Sequence, residues 1–109
     1  MDRRIETAIG IMRRDGGKNL PIREIAREVH LSPWHFIHLF KAETSLTPKQ
    51  YMLRIRMKRA ATLLEESFLS IKEVAAEAGF ADPSHFSREC RRHWGLTPSE
   101  MRIRRRLAG

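Results

Sequence analysis

The chain holds a single cysteine, Cys90, so no internal disulfide can form. That fits a reducing compartment and excludes a small disulfide-stapled secreted protein. No apolar run approaches the ~20 residues of a membrane span, and the N-terminus lacks a signal-peptide core. No Gln-, Ser- or Pro-rich tract interrupts the chain, which argues against disorder. Chemistry-bearing motifs are missing as well. There is no Gly-rich phosphate loop, no HExxH and no nucleophile elbow, so an enzyme is not expected. His30, His35 and His38 match no common zinc spacing and have no paired cysteines beside them, so no metal and no cofactor are expected.

Positive charge is abundant. The 109 residues carry 21 Lys+Arg against 13 Asp+Glu, a net +8, and this suggests a polyanionic partner. The charge is uneven: +2 over 1–30, +5 over 31–64, −4 over 65–87 and +5 over 88–109. The length suits one compact domain or two very small units.

A direct comparison of the chain with itself finds two units. Leu20-Pro21-Ile22-Arg23-Glu24-Ile25-Ala26 lies 49 residues before Leu69-Ser70-Ile71-Lys72-Glu73-Val74-Ala75. After one inserted residue, Pro33-x-His35-Phe36 matches Pro83-x-His85-Phe86 and Leu46-Thr47-Pro48 matches Leu96-Thr97-Pro98, both at an offset of 50. Two copies are too few for a solenoid, and duplication of one supersecondary unit fits better.

The periodicity is helical throughout, which predicts an all-α fold of seven helices. Ile5, Ala8, Ile9 and Met12 form the first apolar stripe, weakened by Gly10 and stopped at Asp15-Gly16-Gly17. Ile22, Ile25, Ala26 and Val29 form the second. His30 stands where the second copy has Gly79, a left-handed turn position. Ser32-Pro33 and Asp82-Pro83 each supply an N-cap and an N1 proline. Capping boxes are expected at Thr47/Gln50 and Ser70/Glu73, and Thr97 with Glu100 opens the last helix. Each copy thus reads as a short helix, a tight turn and a longer helix over about 33–42 or 83–93. That is a helix-turn-helix, whose second helix can lie in a DNA major groove.

The far side of each longer helix sharpens this. Around the third helix, Phe36, Leu39 and Phe40 form a core stripe at 100° per residue, and Trp34, Ile37, His38 and Lys41 lie opposite. Trp34 either packs beneath a neighbouring loop or, with Ile37, meets thymine methyls while His38 reads a base or phosphate. Around the sixth helix, Cys90 falls on the core side with Phe86, and Ser84, Ser87, Arg88 and Arg91 lie opposite. Arg is the usual reader of guanine O6/N7. His35 recurs as His85, which favours a structural role in each unit. The methionines fall at helical spacing and read as core. The connecting helix, about 47–66, would be roughly 27 Å long, enough with packing offsets to hold two recognition helices near one DNA turn, ~34 Å, apart. Its Arg54 and Lys58 sit on the polar side, within reach of phosphates.

These residues resemble the DNA-binding domain of AraC/XylS-type transcription regulators. The resemblance rests on Gly79-Phe80-x-Asp82-x-Ser84-His85-Phe86-Ser87-Arg88, on Gly95-Leu96-Thr97-Pro98 with Arg102, and on Ile25-Ala26, Leu39-Phe40-Lys41, Thr47-Pro48, Tyr51, Arg56 and Ala60 in the first copy. It covers about residues 3–106. It implies one DNA-binding domain over 1–109, with lobes at about 3–46 and 69–107 joined by the connecting helix. It also implies a cytoplasmic bacterial regulator that reads double-stranded promoter DNA in successive major-groove segments. By motif position the base readers are Trp34, Ile37 and His38 in one lobe and Pro83, Ser84, Ser87 and Arg88 in the other; Lys41, Arg54, Lys58 and Arg91 are phosphate contacts. Cys90 stands where the family has a core Phe, Ser45 where it has Gly, and Met101 where it has an aromatic. Many members carry a ligand-binding or dimerisation domain, for which this chain has no room. Two other readings remain: a non-specific or architectural nucleic-acid binder, and an interaction module whose acidic 65–87 surface meets RNA polymerase or another protein.

Overall fold

The computed structural model describes residues 1–14 and 20–108, and the expected stop at Asp15-Gly16-Gly17 lies outside them. The described residues form seven helices and no strand: α1 (Arg3–Arg14), α2 (Ile22–Glu28), α3 (Pro33–Thr44), α4 (Pro48–Glu66), α5 (Ile71–Glu77), α6 (Pro83–Trp94) and α7 (Pro98–Ala108). Both longer helices outlast their expected ends, α3 to Thr44 and α6 to Trp94. Nothing before those residues breaks the backbone ladder, and each helix stops at a left-handed residue, Ser45 (φ 67°) and Gly95 (φ 72°). The chain divides into two compact units, Met1–Ile55 and Arg56–Gly109.

Helix starts follow the sequence grammar. Ser32 Oγ accepts from the His35 amide at 3.1 Å and Asp82 Oδ1 from the His85 amide at 2.7 Å, satisfying a first-turn N–H that the helix cannot pair itself. Capping boxes close both ways at Thr47/Gln50, Ser70/Glu73 and Thr97/Glu100.

In the first unit α1, α2 and α3 bury Ile5, Ala8, Met12, Ile25, Ala26, Phe36 and Phe40, and Met52 of α4 joins them. The Phe40 ring meets Tyr51 edge-on at 5.4 Å, and the Tyr51 hydroxyl accepts from Arg13 at 3.2 Å. In the second unit Met57, Ala60 and Leu64 of α4, Val74 and Ala75 of α5, Phe80, and Phe86 and Cys90 of α6 are buried. Met57, Ala60 and Leu64 have the i, i+3, i+7 spacing of Ile5, Ala8 and Met12. The duplication therefore reaches back into the leading helix of each unit, where the sequences themselves share little. Cys90 and Met101 occupy the repeat positions of Phe40 and Tyr51, so the aromatic pair of the first unit has no counterpart in the second. Of the methionines, Met12, Met52 and Met57 are core, but Met1 is 64% exposed and Met101 half-buried.

Candidate nucleic-acid interface

The two recognition helices are aimed by the same backbone device. At the end of α2 the Leu31 amide donates to Ala26 O (2.9 Å) and the His30 amide to Arg27 O (3.0 Å); at the end of α5 the Phe80 amide donates to Ala75 O (2.9 Å) and the Gly79 amide to Ala76 O (3.0 Å). This pair of bonds is a Schellman closure, which requires a left-handed residue. His30 (φ 59°) and Gly79 (φ 89°) provide it. The corner leads directly into the Ser32 cap in the first unit and, after one further residue, Ala81, into the Asp82 cap in the second.

On α3, Phe36 and Phe40 are fully buried and lock the helix by one face. The opposite face is open. Trp34 is 69% and Ile37 38% exposed, and His38 and Lys41 are exposed too. Among the described residues Trp34 packs beneath no loop; its ring stacks on His38 with centroids 4.0 Å apart, and His38 Nδ1 lies 2.8 Å from Trp34 O. The structure thus gathers Trp34, Ile37, His38 and Lys41 on one surface of the first unit. Arg54 and Lys58 of α4 are exposed.

On α6, Phe86 and Cys90 face the core, and Pro83, Ser84, Arg88 and Arg91 are exposed with Ser87 half-buried. Burial, and secondarily the charge of Glu89, pushes the Cys90 thiol up to about 12. Arg88 has no ion-pair partner among the described residues. Arg91 lies near enough to Glu100 to help hold that carboxyl below its ordinary range, chiefly lowered by bonds from Thr97.

Glu89 was not legible as a special residue. It is only 6% exposed, and Oε1 accepts from Arg92 at 3.2 Å while His85 Nε2 and His93 Nδ1 lie 3.8 and 3.6 Å from its carboxylate. The H-x3-E-x3-H spacing along α6 is the signal that would have found it, since residues four apart meet on a helix. His85 also meets the Phe80 ring edge-on at 5.3 Å. His35 has neither partner, because Leu31 and Leu39 replace Phe80 and Glu89, and it is exposed. The structural role expected of both histidines holds for His85 alone.

Charge outside the recognition faces is largely engaged within the second unit. Arg102 donates to Leu64 O (3.1 Å), Arg106 to Ser67 O (2.6 Å) and Arg105 to the Glu65 carboxylate (2.6 Å), so α7 satisfies one carbonyl in the last turn of α4 and another just past it. Arg59 pairs with Glu77 at 3.7 Å. In the acidic 65–87 stretch, Glu65 and Glu77 therefore have arginine partners, and Glu73 and Asp82 are helix caps.

Duplicated corners that each leave one face of the following helix open to solvent define a helix-turn-helix protein. A family model described as a helix-turn-helix domain matches residues 25–104. The chain belongs to the AraC/XylS family of transcription regulators, a family of DNA-binding regulators and not of enzymes. It is 37% identical over 86 residues to the Msm operon regulatory protein of Streptococcus mutans, covering 79% of this chain and 31% of that one. It is 31% identical over 101 residues to the regulator CdhR of Pseudomonas aeruginosa, covering 93% and 30%. The chain thus spans about a third of the length of these curated relatives. The crystal structure of an AraC-type transcriptional regulator from Chromobacterium violaceum superposes with a TM-score of 0.89 at 31% identity, over 97% of this chain and 95% of that one. The DNA-binding domain of AdpA, solved with a target DNA, shares the fold with a TM-score of 0.90 at 24% identity, over 98% and 96%. Among the described residues no helix is long and apolar enough to cross a membrane.

Proposed function

We propose that this chain binds promoter DNA sequence-specifically, in the bacterial cytoplasm, with α3 and α6 entering successive major-groove segments. Trp34, Ile37 and His38 read bases in one segment and Pro83, Ser84, Ser87 and Arg88 in the other; Lys41, Arg54, Lys58 and Arg91 neutralise phosphates. One observation carries the reading. Both recognition helices are locked by buried Phe residues on one side and open on the other, yet the open faces differ in chemistry. Non-specific binding needs only cations. An exposed Trp-His stack on one face and a Ser-Arg face on the other offer directional groups that select bases. The acidic stretch gives little support to RNA polymerase docking there, since four of its carboxylates are engaged inside the unit.

Selection from a random duplex library tests this directly. A preferred site at least ~10³-fold tighter than random DNA is expected, with a footprint of roughly 20 bp if both helices insert. Equal affinity for selected and random duplexes would leave the non-specific reading in its place. In the same assay Arg88→Ala should cost about 1–3 kcal/mol and relax preference at one position.

A further inference from the structure

We propose that His38 is a base-selecting acceptor: its tautomer is fixed by its own helix, so it favours adenine or cytosine on the strand it meets. The inference rests on the DNA-binding reading above and adds a chemical class of base to it. A neutral imidazole carries one N–H, and a backbone carbonyl can only accept. His38 Nδ1 lies 2.8 Å from Trp34 O, so Nδ1 is the donor and holds the proton. Nε2, across the ring and away from the helix backbone, is left with a bare lone pair. The Trp34 ring stacked at 4.0 Å and tilted by 27° holds the imidazole plane in place.

The rest of the face makes that lone pair distinctive. The Trp34 indole and the Lys41 ammonium only donate, and Ile37 does neither. Nε2 is therefore the one side-chain acceptor among these four groups on the face opposite Phe36 and Phe40. In the major groove an acceptor is met by adenine N6 or cytosine N4, whereas guanine and thymine present acceptors there. The face of α6 differs, since Ser84 and Ser87 can donate or accept.

The test has two arms. Nitrogen-detected NMR of the free protein near pH 8 should show the proton on Nδ1; a proton on Nε2 overturns the inference whatever the DNA does. Duplexes carrying each of the four bases at each position of the selected site are then compared near pH 8. One position should favour the amino bases by about three- to tenfold near pH 8, the value of one hydrogen bond. His38→Ala should abolish the preference there and leave the other positions unchanged, which separates His38 from the other four histidines. A selected site with no such position, or with guanine or thymine favoured near pH 8, sinks the inference and leaves the DNA-binding reading standing. Failure to select any site removes both.

Discussion

Ser45 and Gly95 hold equivalent corners, each donating its amide to the residue four back, Lys41 O at 2.8 Å and Arg91 O at 3.0 Å. Their φ values, 67° and 72°, lie in the left-handed region. Glycine adopts it freely, whereas a Cβ there crowds the following carbonyl by about 1–2 kcal/mol. Ser45→Gly should therefore stabilise the protein by about 0.5–1 kcal/mol, after the extra freedom glycine gives the unfolded chain. Gly95→Ala should destabilise it by about 1 kcal/mol through backbone conformation alone, because a Cβ at 95 would meet nothing within 4 Å. Thermal melts of the two variants should move in opposite directions; a stabilising Gly95→Ala would refute the account. Cys90 gives a chemical prediction at the same scale. With the thiol pushed up to about 12 and the side chain fully buried, it should resist thiol reagents near pH 8 in the folded protein and react once denatured. Rapid labelling of native protein would mean the second unit opens readily.

At the scale of helices, three capping boxes differ in one atom type. Thr47 is paired with Gln50, whereas Ser70 and Thr97 are paired with Glu73 and Glu100. Hydrogen bonds from Ser70 and from Thr97 hold those two carboxyls below the ordinary 4.5. A carboxyl lowered by folding binds protons less readily folded than unfolded. Its stabilisation is thus present above the ordinary range and fades as pH falls through the lowered value. Acid should loosen the first turns of α5 and α7 while the Thr47 box at α4 persists. Residue-level NMR through an acid titration would show this, and Glu73→Gln should make the start of α5 insensitive to pH. Helix starts of this kind were readable because cap and partner lie three residues apart. The engagement of Arg102, Arg105 and Arg106 was not, because their partners are distant in sequence or are backbone carbonyls, which any residue supplies. Read in order, those arginines are simply a basic tail.

For the molecule as a whole, that difference changes what the net charge of +8 can do. Arg59, Arg92, Arg102, Arg105 and Arg106 are tied to carboxylates or carbonyls of their own unit. Lys41, Arg54, Lys58 and Arg91 are the phosphate contacts proposed. Four neutralised phosphates give a log–log dependence of affinity on salt with a slope of roughly −4. A slope near −8 would show α7 joining the contact. Lys58→Ala should weaken all duplexes alike and flatten the slope by about 1. Which faces of α3 and α6 are exposed was legible from helical angles, because the opposite face of each carries a core Phe. The two-residue extension of α3 was not, since Ser45 gives no glycine signal for the corner it makes.

The open Trp34 ring has an optical consequence. The chain has two tryptophans, and each unit holds one: Trp34 exposed at the start of α3, Trp94 half-buried at the end of α6. With Trp94→Phe the emission comes from the first unit alone, from an indole already lying against an imidazole. The arrival of α3 on a duplex can then be timed by fluorescence separately from that of α6, so the order in which the two halves engage a promoter becomes a measurable rate.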